Sequence, residues 1–119
     1  MNELATLTLE LREQVQIAHI DGEVDIANAA SLESEIAEAV SNSAEGLVID
    51  LTGTEYFDSS GIRLLFELHA RLSGRRQSLR VVVPPEAVIL SALRITEVDQ
   101  VVPIDETVEE ALAALSGNG

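Results

Sequence analysis

The chain has 119 residues, of which 46% are hydrophobic, enough for one domain with an ordinary core and too few for a second. Acidic residues outnumber basic ones 21 to 7, and the formal net charge of -14 repels nucleic acid and anionic lipid headgroups. All seven basic residues are arginines and there is no cysteine, which excludes a P-loop, a lysine Schiff base, a lysine-dependent phospho-acceptor receiver, a disulfide framework and a thiolate metal site.

Leu7-Thr8-Leu9-Glu10-Leu11 and Val15-Gln16-Ile17-Ala18-His19-Ile20 alternate with period two on either side of the polar break Arg12-Glu13-Gln14, which predicts a β-hairpin. After Asp21-Gly22-Glu23 the period changes. Leu32, Ile36, Ala39 and Val40 recur at helical spacing with Glu33, Glu35 and Glu38 between them, so an amphipathic helix is expected there. Gly46-Leu47-Val48-Ile49-Asp50-Leu51 is a continuous apolar run of the kind buried on both faces of a sheet, and it is predicted as the central strand.

From Gly61, a second helix is expected directly after that strand, with Ile62, Leu65, Phe66, His69 and Leu72 on one stripe and Gly74 as its stop. Leu79 through Val83 reads as a strand closed by Pro84-Pro85, and Val88, Ile89, Ala92 and Leu93 as a third helix. Val101-Val102-Pro103-Ile104 is a short extended piece. Val108, Ala111, Leu112 and Leu115 then make a terminal helix before a frayed tail over 116–119. The predicted order ββαβαβαβα requires right-handed crossovers, hence a mixed, mostly parallel sheet with an antiparallel N-terminal hairpin and about four helices, in one α/β domain with its core over about 5–115. Met1-Asn2-Glu3-Leu4 has neither a basic nor an apolar leader segment, and no apolar run approaches the roughly 20 residues that span a bilayer, so a soluble cytoplasmic chain is expected.

The functional signals converge on Phe57-Asp58-Ser59-Ser60-Gly61-Ile62-Arg63. Two hydroxyls preceded by a carboxylate and followed by glycine stand at a helix start, whose unpaired N–H groups favour an anion. A plain capped helix start also accounts for Asp58-Ser59-Ser60, although Gly61 in the first turn costs roughly 1 kcal/mol relative to alanine and suggests a close approach. Phe57 stands where a nucleophile elbow needs glycine, so that hydrolase motif fails. His19 sits in an alternating strand and His69 on an apolar stripe, where structural roles are commoner than catalytic ones. The carboxylates Asp21, Glu23 and Asp25 do not match a calcium loop and read as a solvated turn or partner-facing edge. Arg75-Arg76 reads as a pair complementing a helix C-terminus.

Gly22-Glu23-Val24-Asp25, the acidic helix, Leu47-Val48-Ile49-Asp50-Leu51 and Asp58-Ser59-Ser60-Gly61-Ile62-Arg63-Leu64-Leu65 together resemble the STAS family, specifically bacterial anti-sigma factor antagonists. The resemblance spans essentially the whole chain. It implies a binding protein without catalytic residues, cofactor or metal, monomeric when free. Its partners would be an anti-sigma factor that is also a serine kinase with a histidine-kinase-like ATPase fold, and a PPM-type serine phosphatase, with no direct contact to nucleic acid or membrane. By motif position it implies phosphorylation on Ser59 and partner binding through Asp25, Asp58, Ser60, Gly61 and Ile62. Many such relatives end the third helix with glycine where this chain has Thr96-Glu97-Val98, and a left-handed glutamate there would cost roughly 1–2 kcal/mol. Two other classes stay open: a non-switching STAS subunit of a transporter or signalling scaffold, and a small serine hydrolase using Ser59 or Ser60.

Overall fold

The computed structural model describes residues 4–116. In chain order these form β1 (Ala5–Arg12), β2 (Val15–Val24), α1 (Ala29–Ala39), β3 (Gly46–Asp50), β4 (Thr54–Phe57), α2 (Ser59–Ser73), β5 (Ser78–Val82), α3 (Ile89–Ile95), a 3-10 turn (Val98–Gln100), β6 (Ile104–Asp105) and α4 (Val108–Ser116). Of the tail expected at 116–119, Ser116 closes α4 by donating from its hydroxyl to the Leu112 carbonyl, and the remainder lies outside the described residues.

The sheet runs β1-β2-β3-β5-β6, antiparallel only between β1 and β2, which places β3 in the centre as its unbroken apolar run requires. Successive β3 side chains serve opposite faces. Leu47 and Ile49 join the large core under α1, α2 and α3, whereas Val48 joins Val15, Ile17, Val82 and Ala111 beneath α4. Each fully buried Leu or Ile contributes about 1.5–3 kcal/mol, so the larger layer dominates stability.

The principal departure from the predicted order is β4. Its four residues pair in parallel with the far end of β2, Gly22 opposite Thr54, Glu23 opposite Tyr56 and Val24 opposite Phe57. The strand β2 therefore continues past Asp21-Gly22-Glu23, where a turn was expected, and Gly22 absorbs the register shift at φ 115. A Cβ on Gly22 would lie 2.3 Å from the Leu4 carbonyl oxygen, so only glycine fits. The strand β2 thus has two successive parallel partners, β3 along its first half and β4 along its second.

In α2 the buried positions are Gly61, Ile62, Leu64, Leu65, Leu68 and Leu72, while Phe66 and His69 are only half-buried. The apolar stripe is rotated from its expected centre because α2 packs on α1 as well as on the sheet: Leu64 lies beside Ala29 and Ala30, and Leu68 beside Ala37 and Val40. Gly74 does not stop the helix with a left-handed residue, since its φ is -64. Arg76 takes that conformation instead, at φ 61, with the N–H of Gln77 bonded to the Leu72 carbonyl and that of Arg76 to Ser73. In α3, Val88 stands at the N-cap and is 86% exposed rather than packed. Glu97 ends this helix at φ 63, in the left-handed conformation whose cost the sequence raised.

Candidate functional site

The start of α2 is fixed by three successive residues. Phe57, the last of β4, pairs with Val24 and is buried in the core; Asp58 turns the chain; Ser59 opens the helix. Asp58 is a true N-cap, with extended backbone, its Oδ1 accepting the Ser60 N–H at 2.8 Å and its carbonyl accepting from Gly61 and Ile62. Gly61 lies against the Phe57 ring so closely that a Cβ there would stand 2.7 Å from ring carbons, which explains the glycine that propensity disfavours. Ser59 is exposed, Ser60 half-buried, and Gly61 and Ile62 are buried. Of the residues singled out in the sequence, Ser59 displays its hydroxyl at the surface, whereas Gly61 and Ile62 hold the turn from below.

The second wall is the loop from β2 to α1. Because Val24 pairs with Phe57, the residues that follow each of them, Asp25 and Asp58, emerge side by side from adjacent strand ends. Asp25 is anchored: its Oδ1 accepts the Ala27 N–H at 2.8 Å, its own N–H donates to Asn28 Oδ1 at 3.0 Å, and Asn28 Nδ2 donates to the Glu23 carbonyl at 2.8 Å. Asn28, unremarked in the sequence, is the residue that shapes this loop. The Asp-x-x-Asn spacing before a helix was the available signal.

Tyr56 is a second residue that sequence reasoning missed. Half-exposed on β4, it points its hydroxyl at Asp58 Oδ2, 3.3 Å away, and the charge of Asp58, with lesser contributions from Asp25 and Glu23, raises its pKa above the ordinary tyrosine value. Those three carboxylates therefore form one negative field around the Tyr56 hydroxyl, next to the helix start. On the other side of Ser60, a groove of about 430 Å³ runs between α1 and α2, lined by Ile26, Ala29, Ala30, Glu33, Arg63, Leu64 and Glu67. Ile26 is 86% exposed at its mouth.

The base that a serine hydrolase needs is not assembled here. Both ring nitrogens of His19 are engaged on the sheet by Asp50 and Glu10, and His69 lies nine or ten residues along α2 from the serines, about 15 Å of helix. Among the described residues, no three His, Asp or Glu side chains are grouped to hold a metal ion, and no helix is long and apolar enough to cross a membrane.

Comparison with known proteins bears on this arrangement. The STAS domain model matches residues 6–111, nearly the whole described chain. The chain belongs to the STAS domain family. It is 29% identical over 113 residues, 94% of this chain and 90% of the relative, to the anti-sigma-F factor antagonist RsfB of Mycobacterium tuberculosis. Among solved structures, an anti-sigma factor antagonist from Mycobacterium paratuberculosis superposes with a TM-score of 0.85 at 28% identity, covering 95% of both chains. The Bacillus cell fate determinant SpoIIAA in its phosphorylated form shares the fold, with a TM-score of 0.67 at 17% identity over 90% of this chain and 96% of that one.

Proposed function

We propose that this STAS protein is an anti-sigma factor antagonist that works by partner switching, with Ser59 as the switch. Unphosphorylated, it binds an anti-sigma factor that is also a serine kinase of histidine-kinase-like ATPase fold; phosphorylation on Ser59 ends the interaction, and a PPM-type serine phosphatase restores it. The observation that carries this reading is the exposed Ser59 opening a helix that Asp58 caps, with Asp25 following the strand end paired beside it. The similarity to anti-sigma factor antagonists along nearly the full chain supports it.

In the modification, the Ser59 hydroxyl oxygen bonds to the γ-phosphorus of ATP. The bond between that phosphorus and the departing diphosphate breaks, and the hydroxyl proton passes to a base on the kinase. The phosphate adds about -1.5 to -2 charges beside Asp58 and Asp25, and each 1.4 kcal/mol of resulting repulsion lowers affinity about tenfold. Only binding is opposed. Asp58 caps the helix through its own carboxylate, so the fold does not depend on the Ser59 hydroxyl.

The test is intact-mass measurement after incubation with the cognate kinase and ATP. The wild-type protein gains one phosphoryl group, Ser59→Ala gains none yet still binds, and Ser59→Asp binds weakly. Phosphorylation of the alanine variant to the wild-type extent would remove Ser59 as the site. Retention of partners regardless of kinase and ATP would point instead to a non-switching subunit.

A further inference from the structure

Arg63 follows Ser59 by one helical turn, a spacing that puts the two Cβ atoms about 5–6 Å apart on one face of α2. Its guanidinium is now committed only loosely, with Nε 3.7 Å from Glu67 Oε2 and the two side chains 81% and 50% exposed. That pair also has the weaker order, since a base preceding an acid by four residues is less favourable than the reverse. A phosphate on Ser59 would supply the stronger order, acid before base, with about twice the charge of a carboxylate. Helical side chains lean toward the N-terminus, which puts the turn of Ser59 within reach of Arg63.

The remaining arginines are otherwise placed. Arg12 is held by Glu10 and Arg80 by Asp105; Arg71, Arg75 and Arg76 lie at or beyond the opposite end of α2; Arg94, on α3, lines a separate recess with Asp99 and Glu106. The charged groups that act on Tyr56 beside the helix start, Asp58, Asp25 and Glu23, are all negative.

We infer that Arg63 is the intramolecular counter-charge of phosphorylated Ser59, releasing Glu67 to bind the phosphate. This rests on the reading of Ser59 as the phospho-acceptor. Its consequence extends beyond the serine. Among the described residues Arg63 is the one cation lining this groove between α1 and α2, so its departure toward Ser59 leaves Glu33 and Glu67 there without a neutralising partner among them. Phosphorylation thus changes two surfaces at once, the serine face and the groove.

The experiment encodes phosphoserine at position 59 during synthesis of the full chain, so no kinase is involved, and follows the phosphorus resonance across pH. A guanidinium contact favours the dianion, so the second ionisation of the wild-type phosphoserine falls about 0.3–0.7 pH unit below that of Arg63→Gln. Arg63→Lys retains part of the shift and Glu67→Gln enlarges it. Equal midpoints in wild type and Arg63→Gln, with native amide spectra in both, would overturn the inference. Because the phosphate is encoded, this outcome is independent of whether a kinase chooses Ser59, which the mass measurement decides separately.

Discussion

His19 lies with Nδ1 2.7 Å from Asp50 Oδ2, and its opposite nitrogen, Nε2, is 2.9 Å from Glu10 Oε1. When both nitrogens donate to ionised carboxylates both are protonated, and it is this imidazolium form of His19 that joins β1, β2 and β3. Burial opposes that charge, yet the hydrogen bonds to Glu10 and Asp50 and their negative charges outweigh it and hold the His19 pKa above its ordinary 6.5. Glu10, bonded by His19 and Arg12, is held below its ordinary 4.5.

The sign of the pH dependence follows. A raised folded pKa gives His19 a stabilising contribution that is complete below about 6.5 and is lost as pH rises through the folded value. Glu10 contributes above about 4.5 and loses its contribution as pH falls through its depressed value. Urea midpoints measured from pH 5 to 9 should therefore show the largest advantage of wild type over His19→Gln between those limits, shrinking at higher pH. A difference independent of pH would refute the charged clamp.

Gly61→Ala should destabilise the fold by about 1–3 kcal/mol, because the new methyl meets the buried Phe57 ring and not open space. The diagnostic measurement is a double-mutant cycle. In a Phe57→Leu background the same substitution should cost less, and additive effects would mean that the ring is not the obstacle.

Asp58 has two separable properties, its cap and its charge. Asp58→Asn should keep the cap and lie within about 0.5 kcal/mol of wild type, whereas Asp58→Ala should lose about 1 kcal/mol. If both variants lose phosphorylation or partner binding while only alanine loses stability in chemical denaturation, the charge is what the partner reads.

Glu97→Gly should stabilise the protein by about 1 kcal/mol, raising Tm by about 4 °C, since glycine tolerates the left-handed backbone that glutamate now occupies. Calorimetry of the two proteins is sufficient, and an unchanged or lowered Tm would count against strain at this helix end.

The α/β class, the antiparallel start and the central β3 were legible because their apolar periodicity is the cause of their burial. The strand β4 was not. Its four residues carry no period long enough to recognise, and its pairing depends on β2 continuing beyond Gly22, which resembles a turn in sequence but serves as a bulge. The left-handed Arg76 was equally hidden, since arginine does not favour that backbone, whereas at Glu97 the resemblance to relatives with glycine pointed to the left-handed end that the residue type does not. At the site, Ser59 and its flanking carboxylates could be named from motif position. The anchoring by Asn28 and the place of Tyr56 beside Asp58 are local contacts within five residues, whereas the approach of Asp25 to Asp58 needed the spatial pairing of β2 with β4.

That pairing has a consequence for when the site exists. Asp25 and Asp58 are 33 positions apart in the chain and become neighbours only when Val24 and Phe57 are in register, after α1 and β3 have been laid down between them. A nascent or partly unfolded chain carries the same Asp-Ser-Ser-Gly tetrapeptide but not the second carboxylate beside it. On the proposed function, a partner that requires both would discriminate finished molecules from unfinished ones, and its recognition surface would itself be a certificate of folding.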